Sequence, residues 1–233
     1  FSRAIHVVLA YDYRILPQLG LKAEAYYQYL YDIPIKEDGS YSSLNNNFAY
    51  QRKPLSNEGL GVNYGLEITI EKFFDRQFHL LLTSSLYQSK YQAADGIWRN
   101  TRYNGNFALA LTGGKDFVFG KNRNNSIGIH TRIIWAGGRR PTPIDIEASI
   151  REGEKVEVKD EKFEGRADNY FRIDSKVNFR QNRKKFSWEV AIELQNTTNR
   201  KNELERKYDR SKEQIVKRYQ QGIIPLLVLR IDI

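Results

Sequence analysis

The stretch GLKAEAYYQYLYDIPI, residues 20–35, carries the reading of the fold. Leu21, Ala23, Ala25, Tyr27, Tyr29, Tyr31 and Ile33 fall on one alternating face. Lys22, Glu24, Tyr26, Gln28, Leu30 and Asp32 fall on the other. Side chains of a strand point alternately to opposite sides, so this is a ribbon with one apolar and one wet surface. About ten residues of a tilted strand cross a bilayer, and this run is longer than that. Many such ribbons side by side make a wall between lipid and water.

The pattern recurs along the chain. Residues 4–14 set Ile5, Val7, Leu9, Tyr11 and Tyr13 against His6, Asp12 and Arg14. Residues 61–74 set Val62, Tyr64, Leu66, Ile68 and Ile70 against Asn63, Glu67, Thr69 and Glu71. In residues 78–91 the phase is blurred by Leu80, Leu81 and Leu82. Further strands are predicted over 101–117, 126–135, 169–180, the run around Trp188–Leu194, and 222–233, giving about nine. Short turns and long connections alternate between them. The long ones are 36–59 (with EDGS and NNN), the stretch up to Asn100, 136–168, and 197–220. Within 136–168 a short helix is predicted over 145–152, with Asp145 as N-cap and Gly153 ending it. The charged run 197–220 reads as loop, because Leu204, Tyr208, Ile215 and Tyr219 form only a broken stripe.

Short turns on one side and long loops on the other are the habit of outer-membrane barrels. Aromatics sort to both ends: Tyr29, Tyr31, Tyr64, Tyr103 and Trp135 near the long loops, and Tyr11, Tyr13, Phe73, Phe74, Phe179 and Trp188 near the short turns. Two interfacial girdles have this layout. A soluble β domain also alternates, with its apolar face inward. Lipid outside is favoured by strand length, by mixed charges such as Arg172, Asp174 and Lys176 on the wet face, and by an apolar face free of charge mid-strand. A lipid-facing Arg or Lys there costs roughly 2–4 kcal/mol.

Bulk properties fit. The 233 residues have mean hydropathy −0.63 and 40% hydrophobic residues. No apolar run approaches the ~18 residues of a membrane helix. The net charge of +9 alternates with apolar residues instead of clustering, which argues against nucleic acid. With no cysteine there is no disulfide framework and no thiolate metal site. The chain opens at Phe1 and has no methionine, so a processed product or a fragment is expected. An even strand number normally closes a barrel, so nine implies further strands on the N-terminal side.

GLGVNYGLEITIEKFF (59–74), SKYQAADGIWRNTRYNGNFAL (89–109), WAGGRRPTPIDIEAS (135–149), DNYFRIDSKVNFR (168–180) and LQNTTNRKNE (194–203) resemble the C-terminal barrel of TonB-dependent outer-membrane receptors. The closest resemblance is to receptors with an N-terminal carboxypeptidase-regulatory-like domain. It runs across nearly the whole chain, and WRNTRYN and AGGRRPTPID are its most specific parts. The resemblance implies an all-β, antiparallel up-and-down transmembrane barrel of about 22 strands with a plugged lumen, of which residues 1–233 are the C-terminal part. It also implies location in the outer membrane and import of a substrate into the periplasm. The partners implied are outer-membrane lipid, TonB acting through a plug region that this chain lacks, and in some receptors a surface lipoprotein. The terminal Arg230-Ile231-Asp232-Ile233 departs from the family's aromatic end, which bears on the assembly signal. A passive pore or structural barrel, and a soluble ligand-binding β domain, are the alternatives.

No catalytic constellation is present, and no cofactor motif. His6, His79 and His130 lie on separate strands without ligand spacing, so no metal site is expected. Asn196-Thr197-Thr198 reads as a strand-to-loop transition, and Gly113-Gly114 and Gly137-Gly138 as strand ends or bends. The candidate substrate-binding residues are Trp98, Arg99, Asn100 and Arg102 in one loop, and Arg139, Arg140 and Asp145 in another. Arg offers a forked donor to carboxylate or phosphate, and Trp a stacking face. The competing reading is that these residues fold the loops onto one another or pair with plug carboxylates.

Overall fold

A computed structural model describes residues 1–37, 39–45, 54–158 and 162–233. Asp38 of the EDGS turn and Asn46 and Asn47 of the NNN run lie outside the described residues. The strands are β1 (Arg3–Leu16), β2 (Leu19–Lys36), β3 (Leu55–Asp75), β4 (Phe78–Gln92), β5 (Trp98–Asn100), β6 (Phe107–Phe119), β7 (Asn125–Ala136), β8 (Tyr170–Asn182), β9 (Ser187–Gln195), β10 (Glu203–Asp209), β11 (Gln214–Tyr219) and β12 (Ile224–Asp232). The one α-helix among the described residues is α1, Ile146–Glu152.

Nine long strands pair with their neighbours in the order β1-β2-β3-β4-β6-β7-β8-β9-β12, each pair antiparallel. This is an up-and-down barrel wall. The short β5 pairs with the end of β4, and β10 and β11 form a separate hairpin. The register keeps like faces together: Leu109 opposes Trp135, Ile129 opposes Val177, Val177 opposes Ile192, and Ile192 opposes Leu227. A one-residue slip would turn a whole apolar row to the other side. The blurred phase of β4 resolves the same way. Leu80 and Leu82 share the outer face with Ile70 and Leu111, while Leu81 joins Glu71 and Thr112 inside.

The outer face is a continuous apolar surface left uncovered, with Leu9 76% and Leu227 78% exposed. Water would not tolerate so large a patch on a soluble domain, whereas bilayer hydrocarbon would solvate it. Aromatic pairs mark its two rims. Tyr29 and Tyr31 stack at 6.0 Å and Phe107 meets Trp135 at 4.9 Å on the long-loop side. Tyr11 and Tyr13 stack at 6.1 Å and Phe179 meets Trp188 at 5.2 Å on the turn side. The inner face carries ion pairs: Lys22–Glu24 at 2.9 Å, Arg172–Asp174 at 2.6 Å, Lys176–Glu189 at 2.9 Å and Arg180–Asp232 at 3.3 Å.

The buried core lies above the wall's inner face, under the long loops. Ile35, Tyr91 and Ala93 are buried there against Leu44 and Phe163. Ile33 joins this interior, contrary to the simple alternation that places it outside with Tyr31. The reason is a register shift between Leu30 and Ile33, where Asp32 takes φ 55. One extra residue flips the phase, so Ile33 and Ile35 turn inward. The opposing Gly59 makes room: a Cβ there would stand 2.4 Å from Ile35 Cγ2.

Three boundaries also differ from the sequence reading. The strand expected from residue 61 starts at Leu55, and the one expected from 101 starts at Phe107. Residues 101–106 instead form a turn, held by the Asn104 amide donating to the Thr101 carbonyl. The run 197–220 is not loop throughout; it contains the β10–β11 hairpin. Its Leu204, Tyr208, Ile215 and Tyr219 mimic a helical stripe only in spacing, since Tyr208 and Ile215 are cross-strand partners. The helix forms as expected: the Asp145 carboxylate accepts from the Ala148 amide at 2.9 Å, and Gly153 ends it at φ 70.

Candidate functional site

All four long connections emerge on one side of the wall. Two of them, 93–106 and 137–169, are packed together by their backbones. A Cβ on Gly137 would stand 1.6 Å from the Gly105 carbonyl oxygen, and one on Gly138 would stand 1.9 Å from the Ala167 oxygen. No other residue permits these approaches. The AGG segment therefore does more than bend the chain after β7.

Asn104 is the hub of this junction. It is fully buried, and its amide donates to Gln88 Oε1 at 3.0 Å and to Asn100 Oδ1 at 2.6 Å. Its Oδ1 accepts from the Ser89 amide at 3.1 Å and from Asn106 Nδ2 at 3.2 Å. Arg140 clamps the same turn from the other loop, donating to the Asn104 carbonyl and to Asn106 Oδ1, both at 3.1 Å. Thus the two candidate clusters are neighbours in space.

Their members differ in what they have left to offer. Arg99 is 5% exposed and paired with Asp95 at 2.8 Å. Burial alone would push the Asp95 carboxyl up, but the Arg99 hydrogen bond and the Ile97 amide outweigh it and hold it below the usual range. Asn100 binds Asn104 and donates to Glu164 at 3.3 Å. Asp145 is occupied in capping α1. Arg102 donates to the Asn45 carbonyl at 3.5 Å and lies over the Tyr103 ring at 5.5 Å. Trp98 is exposed on β5. Arg139 is exposed too, and among the described residues nothing engages its guanidinium.

Arg102, Arg139 and Arg140 line a cavity of about 910 Å³ between the 137–169 connection and the β10–β11 hairpin. Its other charged groups are residues that sequence reading passed over. Glu157 takes Lys155 at 2.8 Å and Lys162 at 3.0 Å; burial would raise its carboxyl, but the two ammonium groups bring it below the ordinary value. Glu203, its side chain 3% exposed, holds Arg206 at 2.8 Å and Lys217 at 3.4 Å. Burial again pushes its carboxyl up and these cations overcome it. Lys217 reaches Asp168 at 2.7 Å, tying the hairpin to the loop before β8. In the sequence these residues sit in charge runs that look like solvated loop. Among the described residues the acids are consumed by internal pairs, so the open feature of the cavity there is the Arg139 cation. An anion suits it; the described residues of the cavity contain no nucleophile–base pair.

No family model matches this sequence, and no curated protein sequence matches it. Among solved structures, the fold matches the ferric yersiniabactin uptake receptor FyuA from Yersinia pestis with TM-score 0.64 at 12% identity, over 99% of this chain and 30% of that one. It matches the ferric-catecholate import receptor Fiu from Escherichia coli K12 with TM-score 0.60 at 12% identity, over 99% of this chain and 27% of that one. The chain therefore spans less than a third of the length of either receptor. At this identity the likeness is one of fold: these residues are built as a segment of the β-barrel wall that import receptors use.

Proposed function

We propose that the chain is the C-terminal wall of an outer-membrane receptor that binds a substrate at the cell surface and imports it with energy delivered by TonB. The observation that carries this reading is the combination of an uncovered apolar outer face with long loops that fold into a defined cavity. A passive pore has no need for loops locked together by Asn104, Arg140 and the two glycine contacts. The plug and the earlier strands belong to the rest of the receptor. The substrate presents an anionic group, which Arg139 receives at the rim of the cavity with a forked donor.

The test is uptake by cells expressing the full-length receptor, with and without functional TonB. Arg139→Ala should lower uptake while surface display and barrel assembly stay unchanged. Arg140→Ala should disturb the loops as well, because that side chain is part of the junction. Uptake that is independent of TonB would replace the reading with a passive pore. TonB-dependent uptake that is indifferent to Arg139→Ala would keep the transporter and remove the assigned contact.

A further inference from the structure

On the inner face, away from the loop cavity, three adjacent strands bring three metal-binding atoms close together. Asp116 of β6, Gly128 of β7 and Asn178 of β8 stand in one register row, and His130 is the next inward residue on β7. A Cβ on Gly128 would lie 2.3 Å from Asn178 Oδ1, 2.5 Å from Asp116 Oδ1 and 2.6 Å from His130 Nε2. The three atoms gather over the Gly128 α-carbon, and a side chain at that position would push them apart.

Two observations show that the group is incomplete. Asn178 is 7% exposed, and its Oδ1 is buried without a hydrogen-bond partner. A buried acceptor in this state calls for positive charge or a donor. The basic residues flanking it on β8 are committed elsewhere, Lys176 to Glu189 and Glu193, and Arg180 to Asp232 and Ser187. Second, His130 Nε2 and Asp116 Oδ1 are 3.4 Å apart, long for a charge-assisted hydrogen bond. Two ligands held at ~2.1 Å by one tetrahedral ion are separated by about 3.4 Å.

We propose that Asp116, His130 and Asn178 bind a divalent transition cation of the zinc type. An imidazole nitrogen with carboxylate and amide oxygens suits such a borderline ion better than calcium or magnesium. Asp116 and His130 are each 27% exposed, so the lumen can supply a water as fourth ligand. The ion braces β6, β7 and β8 from inside. His79 stacks on the His130 ring at 5.7 Å and fixes its plane. No group of three His, Cys, Asp or Glu converges among the described residues, and here the third ligand is an amide. This site does not depend on the import reading.

The experiment is a Co²⁺ titration of the untagged receptor, purified from outer membranes in detergent and stripped with a chelator. One equivalent should bind with the intense visible absorption of four-coordinate cobalt, and Zn²⁺ should displace it. Asp116→Ala, His130→Ala and Gly128→Ala should each abolish the band, whereas His6→Ala should keep it. Asn178→Asp should retain the band and bind Co²⁺ more tightly, a gain that a misfolded barrel cannot imitate. Absence of a stoichiometric band in the wild type overturns the proposal. So does a band that survives Asp116→Ala, or one that Asn178→Asp removes.

Discussion

Replacing Asn104 with alanine should open the loop junction while sparing the wall. The side chain makes four hydrogen bonds, two as donor and two as acceptor, from a fully buried position. At roughly 0.5–1.5 kcal/mol net per bond, four bonds are worth about 2–6 kcal/mol, with about 4 kcal/mol as the central value. The change also strands the Ser89 amide, which Asn104 alone satisfies on that side. A loss of about 4 kcal/mol is on the order of 10³-fold in an opening equilibrium. Hydrogen exchange followed by mass spectrometry reads it. Peptides containing Arg140, whose amide bonds the Arg102 carbonyl across the junction, and Thr101, whose amide bonds the Ser89 carbonyl beside it, should lose protection by about that factor. Peptides from β7 and β8 should be unchanged, because sheet pairing holds their amides. Trp98→Ala, at an exposed ring, should change neither. If Asn104→Ala leaves the 137–169 amides protected, or exposes β7 and β8 together with them, the two loops are not joined through this residue.

Ile129→Arg places a charge on the uncovered face opposite Val177 and should cost roughly 2–4 kcal/mol. Thr112→Glu on the inner face, opposite Arg132, should be tolerated, and heat-modifiable gel mobility of membrane-extracted protein compares the two. The β10–β11 hairpin should be pH-sensitive. Glu203 and Asp168 have carboxyls held below their ordinary values, so their pairs with Arg206 and Lys217 contribute fully above the unfolded values of about 4 and fade as pH falls through the lowered ones. A fluorophore on Ser211→Cys, in a chain without native cysteine, should gain mobility only in that acidic range; constant anisotropy down to the pH at which the barrel itself unfolds would contradict it.

Period-two alternation carries the wall because lipid and lumen demand opposite chemistry at every step of every strand. A register error exposes a whole row, so the pattern is written strongly and survives even the triple leucine of β4. Where that demand ends, legibility ends too. Asp32 sits at the top of β2 with positive φ, which aspartate tolerates better than most residues but which its presence alone does not announce. Pro34 was the available signal, since proline within a strand marks an edge or a bulge. The β10–β11 hairpin stands in water with charges on both faces, which leaves no alternation to read. The capped helix α1 is legible for the opposite reason: its Asp145 and Gly153 act through local backbone geometry, which needs no tertiary context.

The loop site divides along the same line. WRNTRYN and AGGRRPTPID stand out as unusual compositions, and they do meet in space. Composition cannot say which arginine faces inward, because that depends on backbone partners from the other loop. Arg99 finds Asp95, and Arg140 finds the Asn104 carbonyl and Asn106, so both turn from binding candidates into parts of the framework. Arg139 lies between Gly138 and Arg140, both drawn into backbone contacts, and its exposed side chain lines the cavity. A rigid junction built from its neighbours is what holds that one guanidinium at the cavity rim. Ordering a long side chain costs entropy on binding, and a fixed backbone lowers the part of that cost that comes from the loop. On the proposed reading, stiffness at Asn104 and Gly137 and recognition at Arg139 are two parts of one device, and a substitution that loosens the first should weaken the second without touching it.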